Sequence, residues 1–305
     1  MSQIKNQPTL DKNCKALGKQ CRITVENISD RGKDALTIAI NELCRIEEKF
    51  CKYKNNSLIA KINRRAGLDH PTPLDEEARS LIRFVDAMHK KSRGLFDPTI
   101  GSLNLNIDQK KSEEHFNIPP FENLSLVGWK NLTIDDAGAK INLMGTSIEL
   151  NSCIVAYALD CIRRELVAFG IEHALIEIGG NATAIGKQID GSNWLVGLRH
   201  SVGAGGRINR IKLDGQSLSV CGKIEKTISV GEERFSGAKD PHSGNLTPGM
   251  LVCAVQAQTA LKAYSAAKIC WVQPEEDGLN LLESLELPFF VINRNQNCLG
   301  GLSSI

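Results

Sequence analysis

The sequence predicts an α+β protein. Several long stretches repeat apolar residues at the 3.6-residue spacing of amphipathic helices. Between and after them lie short apolar or alternating runs of strand character, bounded by glycine and proline. The stretch from Leu175 to Gly186 ties the pattern together, because two apolar runs meet at Gly179-Gly180-Asn181. Adjacent glycines between strand-like runs mean a tight turn, or a backbone that passes close to another group. The hairpin turn is the favoured reading. The alternative is a loop whose free N–H groups face a phosphate.

Taken in order, Lys15 to Ser29 alternates through Cys21, Ile23 and Val25, the sign of a half-buried strand. Residues 33–53 follow as an amphipathic helix with Leu36, Ile40, Leu43 and Phe50 on its apolar face. Asn55 to Asn63 reads as a polar loop running into a short apolar segment. A second helix is predicted over 73–92, with Thr72 as N-cap, Pro73 in the first turn and Gly94 closing the end. Gly94 to Gly101 is a dense loop in which Asp97-Pro98-Thr99 turns the backbone and presents a carboxylate beside a hydroxyl. Residues 104–120 form a polar insertion, and Val127 to Ile134 a strand with Trp129 as its anchor. A buried helix over 152–169 carries Ala156, Leu159, Ile162 and Val167. Later strands fall at 194–199, 207–213, 218–221, 227–230, 250–256 and 288–292, with a helix at 259–272. With no repeat and no low-complexity linker, the chain reads as a single domain over 1–305.

Composition narrows the function classes. Hydrophobic residues make up 42% and charged residues 24%, as in ordinary globular chains. A net charge of +2 and the lack of a basic stripe with aromatic platforms argue against a nucleic-acid binder. No apolar window of about 18 residues exists to span a bilayer. The polar N-terminus lacks the apolar core of a secretory signal. The ten cysteines are scattered without a Cys-x-x-Cys pair, so zinc-site spacing is absent and core thiols suit a reducing compartment. A cytoplasmic protein is expected.

Several of these stretches, in this order, resemble the ApbE family, the FAD:protein FMN transferases. The matching pieces are Ala16-Leu17-Gly18, Asn56-Ser57-Leu58 to Asn63, and Gly94 to Gly101. Further on come Gly128-Trp129, Tyr157-Ala158-Leu159-Asp160, Ile178-Gly179-Gly180-Asn181 and Asp240-Pro241-His242-Ser243-Gly244. The resemblance spans nearly the whole chain. It implies an ApbE-like, T-fold-like architecture of antiparallel sheets packed with helices, with FAD in a cleft between two halves. It further implies magnesium-assisted attack of a Thr or Ser hydroxyl of an acceptor flavoprotein on the FAD pyrophosphate, leaving FMN on the acceptor and releasing AMP. The residues it carries over as flavin-facing are Ser57, Asp97, Thr99, Gly179, Gly180 and Asn181.

The chain departs from the family pattern where the pyrophosphate and metal are handled. The glycine-rich entry to the central helix, Leu-Gly-Gly-Ile-Ala-Lys-Gly-Tyr in the family, is Leu150-Asn151-Ser152-Cys153-Ile154-Val155-Ala156-Tyr157 here. A family histidine three residues before Asp240-Pro241 is Gly237, and a Thr-Ser-Gly is Val220-Cys221-Gly222. The late helix, which supplies an Asp and a Thr to magnesium in the family, has Tyr264 and Lys268. An ammonium repels a divalent cation and offers it no lone pair. Two readings follow: Lys268 stands in for the metal's charge as a fixed cation against phosphate, or the site has lost its chemistry and the chain is a non-catalytic flavin- or nucleotide-binding or scaffold homologue.

Each candidate has a plainer reading. Ser57 and Thr99 are as suited to capping their own backbone as to a flavin contact. Asp97 and Asp240 precede prolines and nucleate turns, which leaves Asp240 the sole, weak catalytic candidate. Glu177 is expected to point outward, His242 to lie at the surface, and Tyr264 with Lys268 to form a solvated helix face if the resemblance is set aside. Cys221 has no evident activating neighbour.

Overall fold

The structure, a computed structural model, describes residues 9–26, 31–106, 124–200, 207–222, 228–230 and 233–302. Most of the predicted polar insertion, from residue 107 on, lies outside these. Its first residues, 104–106, end a 3-10 helix that runs over Pro98–Asn106.

An eight-stranded sheet forms the centre. Its strands are β1 (Thr9–Ala16), β2 (Lys19–Glu26), β5 (Ala174–Ile178), β6 (Asn181–Ile185), β9 (Ser217–Cys221), β12 (Val252–Ala257), β13 (Phe289–Ile292) and β14 (Cys298–Leu299). They lie side by side in that order, and every neighbouring pair is antiparallel. Both faces are covered, which is why the inner strands read as nearly unbroken apolar runs. On one face Ile176, Ile178, Cys253 and Val255 pack under helices α1 (Gly32–Phe50), α4 (Asn151–Ala168) and α5 (Ala260–Val272). On the other, Leu175, Val252, Ala254 and Ile292 pack under a hairpin of β7 (Trp194–His200) and β8 (Arg207–Leu213). The two-residue side-chain period of a strand divides the residues between these cores.

Two tight turns at neighbouring sheet positions shape the site. Leu17-Gly18 links β1 to β2 with φ of +53° and +67°, and Gly179-Gly180 links β5 to β6 with φ of +59° and +93°. Two successive positive φ values are the signature of the type I′ hairpin turn, so the favoured reading of Gly179-Gly180 holds.

Around this frame are α2 (Leu58–Arg64), α3 (Glu76–Lys91), α6 (Glu275–Ser284) and the small hairpins β3 (Leu132–Asp135)–β4 (Gly138–Ile141) and β10 (Ile228–Val230)–β11 (Glu233–Phe235). Several sequence expectations change here. Helix α3 begins at Glu76 because Asp75, not Thr72, caps it, its Oδ1 accepting the Ala78 N–H at 2.9 Å. Thr72 instead bridges Ala139 through two backbone bonds of 2.8 and 2.9 Å. Trp129 opens a short 3-10 turn, Trp129–Asn131, and the strand starts only at Leu132. The segment after Ser57 is a helix, although it is too short to declare itself by periodicity. On α1 the fully buried stripe is Ala35, Ala39, Leu43, Ile46 and Phe50, with Leu36 and Ile40 flanking it. Val167 is exposed, in the outward last turns of α4 that also carry exposed Arg164 and Ala168. Helix α6 and strands β1, β4, β11 and β14 had no sequence expectation. Among the described residues no helix is long and apolar enough to cross a membrane.

Candidate functional site

The site is built from the central helices outward. Tyr157 and Asp160 on α4, one turn apart, fasten that helix on two sides. The Tyr157 hydroxyl donates to Glu77 of α3 at 2.6 Å, and its ring meets Phe50 of α1 edge-on, 6.0 Å between centroids. Asp160 accepts the N–H groups of Ala260 and Leu261, at 2.7 and 2.9 Å, at the start of α5. Thr259 caps the same end by accepting the Lys262 N–H at 3.2 Å. A carboxylate at a helix N-terminus meets both the unsatisfied donors and the positive end of the helix dipole. The start of α5 is thereby tied to α4, and the helix lies across β9 and β12. Its Tyr264, Lys268 and Trp271, at positions i, i+4 and i+7, share one face.

That face is the waist of a two-lobed cleft. One lobe, of about 270 Å³, lies between Phe96–Gly101, Glu149, Cys153 and the Gly237–Lys239 loop. The other, of about 220 Å³, lies between Lys19, Gly179, Asn181, Cys221, Gly222 and Ser236. Tyr264, Lys268 and Trp271 line both. Together the lobes reach the scale of small-molecule clefts, ~300–1,000 Å³. The expectation of a solvated Tyr264–Lys268 face is therefore corrected. Tyr264 is only 4% exposed, and Lys268 is half-buried with Nζ 4.2 Å from the Trp271 ring centroid. Helix α5 is buried on nearly every side, so no outward polar face exists at these positions.

The cleft is rich in cations. Burial lowers the amine of Lys268 below its usual range, opposed by the Cys221 thiol beside it, and burial also lowers Lys239. Burial pushes the thiols up, Cys221 to about 11 and Cys153 to about 12, and raises the Tyr264 phenol well above its usual value. At neutral pH these groups carry no negative charge. The carboxylates lining the cleft are Asp97 and Glu149, and Glu149 is in contact with the Lys52 ammonium.

The flavin-facing candidates fall into two groups. Asp97, Gly179 and Asn181 line the cleft. Ser57 and Thr99 are fully buried and serve local structure. Ser57 Oγ accepts the Ala60 N–H at 3.0 Å as the N-cap of α2. Thr99 Oγ1 donates to Asp97 Oδ1 at 2.6 Å and accepts the Gly128 N–H at 2.7 Å. Asp97 also accepts the N–H groups of Thr99, at 2.8 Å, and Trp129, at 2.9 Å. The Asp-Pro-Thr stretch is thus a clamp on the Gly128-Trp129 turn, while Asp97 keeps an edge toward the first lobe. Asn181 Oδ1 accepts from Ser219 Oγ at 2.9 Å and the Val220 N–H at 3.0 Å, joining β6 to β9. A Cβ on Gly179 would come within 2.8 Å of the Lys19 side chain, whereas space beside Gly180 is open. The Gly179 position lets Lys19 lie against the turn.

Asp240 sits in a turn outside both lobes. Its oxygens accept the His242 N–H at 2.8 Å and the Ser243 hydroxyl at 3.0 Å. His242 is exposed, as expected. Glu177 is half-buried rather than outward; burial raises its carboxyl, and Arg22 stands directly across on β2. The sequence reading did not single out Lys19, Glu149, Lys239 or Trp271. Trp271 was within reach of it, standing three residues after Lys268 on one predicted helix. Lys19 opens β2, and Glu149 and Lys239 come from loops; only the fold brings them together.

Magnesium takes oxygen donors in near-octahedral geometry. Among the described residues no group of three His, Cys, Asp or Glu is placed to hold a metal ion. At the α5 waist the side chains are a phenol held neutral and an amine, so the donor set does not fit magnesium.

The sequence profile of the ApbE family matches residues 17–291. A FAD:protein FMN transferase of Haemophilus influenzae is 22% identical over 263 residues, 83% of this chain and 76% of that protein. The transferase of Salmonella typhimurium is 24% identical over 260 residues, 82% of this chain and 74% of its own. Among solved structures, the ApbE protein of Thermotoga maritima superposes with a TM-score of 0.81 at 22% identity, covering 96% of this chain and 97% of that one. The flavin transferase ApbE of Vibrio cholerae gives 0.82 at 18% identity, covering 97% of both. At such identities the structural likeness establishes the fold.

Proposed function

We propose, from the premise that this chain belongs to the ApbE family, that it binds FAD or a related flavin nucleotide in the two-lobed cleft and that magnesium-dependent FMN transfer to a protein acceptor is absent or severely reduced. The relatives' shared name, FAD:protein FMN transferase, supports a flavin ligand and an acceptor protein. Asp97, Gly179 and Asn181 on the cleft wall support the site, with Gly180 in the adjoining turn and Thr99 fixing Asp97 from behind, while Ser57 caps α2 away from the lobes. Because the walls come from residues as distant as Lys19 and Val272, the reading treats the chain as one ApbE-like unit.

One observation carries the loss of transfer: the waist of the cleft presents Tyr264 and Lys268. Transfer places developing negative charge on a pyrophosphate, and removing one well-placed electrostatic group commonly costs on the order of 100-fold or more in rate. Lys268 contributes charge but cannot orient two phosphate oxygens as a magnesium ion does. Asp240, the weak catalytic candidate, is occupied by its own turn.

The test incubates the protein with FAD, magnesium and an acceptor bearing a flavinylation sequence, then weighs the acceptor by mass spectrometry. No FMN adduct is expected, while flavin fluorescence changes on titration with the protein. Ready transfer abolished by EDTA would overturn the loss of activity. Absence of any fluorescence change at high micromolar protein, with a flavin-binding ApbE protein responding in parallel, would overturn flavin binding.

A further inference from the structure

Two of the cysteines face each other across the hairpin that borders the second lobe. Cys14 of β1 and Cys21 of β2 are register partners, two pairs beyond the Ala16–Lys19 pair that closes the turn. Opposed residues of an antiparallel ladder point to the same face of the sheet. Here it is the helix-covered face, where Cys21 is 3% exposed and Cys14 packs half-buried against the same core. The two thiols interact: burial is the largest cause pushing Cys21 up to about 11, and the Cys14 thiol adds to it. Opposed Cα atoms in such a ladder stand about 4.5 or 5.5 Å apart, inside the roughly 4.4–6.8 Å window for a disulfide.

Access separates this pair from a second opposed pair, Cys221 of β9 and Cys253 of β12. Those strands lie inside the sheet, and burial pushes both thiols up, Cys221 to about 11. Among the described residues no strand pairs beyond β1, so Cys14 sits at the sheet edge. A bridge needs Cβ atoms about 3.5–4.5 Å apart, against about 4.5–5.5 Å for opposed residues, so closing it draws β1 toward β2. The adjoining turn has little slack. Leu17 holds a φ of +53°, rare for a bulky residue, and its N–H donates to Glu47 of α1 at 2.6 Å. Lys19, on the other side of Gly18, lines the second lobe with its stem against Gly179.

We propose that Cys14 and Cys21 are a reversible dithiol–disulfide pair, an oxidative modification site at which a small disulfide of the glutathione class closes the β1–β2 hairpin and shifts the turn beside the second lobe. Cys14, as thiolate, attacks one sulfur of the oxidant, and one glutathione leaves as thiolate. Cys21 then loses its proton, and its sulfur displaces the second glutathione from Cys14. The two cysteine thiols have lost two electrons and two protons; through solvent the protons reach the glutathione thiolates, so one oxidant disulfide becomes two thiols. A strained bridge at a sheet edge is open to reduction by the same route. The site does not depend on which ligand occupies the cleft.

The experiment incubates the reduced full chain with graded ratios of oxidised to reduced glutathione, blocks free thiols by alkylation, and digests with trypsin without reduction. Peptides 13–15 and 20–22, which hold the two cysteines, are expected to appear joined and to separate with dithiothreitol. Exposed Cys44 and Cys298 are expected to stop at a glutathione adduct. Cys14→Ser is expected to leave Cys21 unmodified, and Cys21→Ala to raise the glutathione adduct on Cys14 by about 10-fold or more, because no second thiol resolves it. Circular dichroism and urea midpoints establish that each variant is folded; if one is not, the peptide map of the unaltered chain decides. Amide exchange over residues 16–19 is expected to differ at least about threefold between the two redox states. No joined peptides at about a hundredfold excess of oxidised glutathione, joining only in urea, or prior joining of Cys221 to Cys253 would each overturn the pair. Equal amide exchange in the two states would overturn the shift of the turn.

Discussion

Replacing Gly222 by alanine should damage the cleft more than its small size suggests. Gly222 follows β9 with φ of +82°, and a Cβ there would lie 2.0 Å from the Leu251 carbonyl oxygen and 2.7 Å from Trp271 Nε1. Trp271 Nε1 donates to that same carbonyl at 3.4 Å, so the methyl group would push into the contact that seats the tryptophan. Two penalties add. The left-handed backbone costs alanine ~1–2 kcal/mol, and forcing a methyl into packed backbone costs ~1–3 kcal/mol. The expected total is about 2–5 kcal/mol. Gly191 separates the two, because its φ is +84° but nothing lies within 4 Å of the position of its Cβ. Gly191→Ala should therefore show the backbone penalty alone. Urea unfolding at constant pH, followed by circular dichroism, measures both variants against the original. Gly222→Ala is expected to lose at least about 1 kcal/mol more than Gly191→Ala and to shift the Trp emission of the folded protein. Equal destabilisation of the two variants would refute the steric account of Gly222 and the placement of Trp271 with it.

Removing Asp160 by an Asp160→Ala change leaves the N–H groups of Ala260 and Leu261 without their acceptor, and should cost about 2–4 kcal/mol in urea unfolding. A loss under about 0.5 kcal/mol would mean that water replaces the carboxylate and that α5 is held elsewhere. Glu77 is held at about 2, against an ordinary 4.5, chiefly by Arg45, with Lys49 and the Tyr157 hydroxyl adding to it. Since its folded value is depressed, its stabilisation is present above pH ~4.5 and fades as the pH falls toward 2. Partial solvent exposure reduces it to about 1–2 kcal/mol. Glu77→Gln should flatten the stability profile between about pH 4.5 and 2, and an unchanged slope would contradict the assignment. Thiol labelling of the native protein should reach exposed Cys44 and Cys298 quickly. Cys153, Cys221, Cys253 and Cys270 should react only on unfolding, because burial keeps them as thiols. Mass spectrometry of the labelled peptides reports the order.

Local chemistry determined much of this protein within the sequence. The Gly179-Gly180 turn was readable because two positive φ values admit few residues other than glycine. Helices α1, α3, α4 and α5 were readable because a 3.6-residue repeat persists over three turns or more. Asp97 as a turn residue was visible from local chemistry, because it precedes a proline, whereas Tyr157-Ala158-Leu159-Asp160 stood out only through the family resemblance. The family resemblance extended this to the order of the loops and to the departures at Tyr264 and Lys268.

What surrounds those residues was decided only in three dimensions. Thr72 looks like a cap in sequence, but the β4 strand offers it a backbone ladder and Asp75 takes the cap. Ser57 and Thr99 carry the same hydroxyl a ligand would use, yet nearby N–H groups claim it first. Tyr264 and Lys268, spaced one helical turn apart, resemble a surface pair until α5 is laid across β9 and β12, which sinks both into a cleft. Lys19, at the start of β2, and Lys239, in a loop, stand 220 residues apart, counting from 19 to 239, and line the two lobes of one cleft only because the fold brings both to the same helix. Periodicity reports which face of an element is apolar; it carries no record of what packs there. The charge of this cleft is a property of that packing, set by which side chains are excluded from water together.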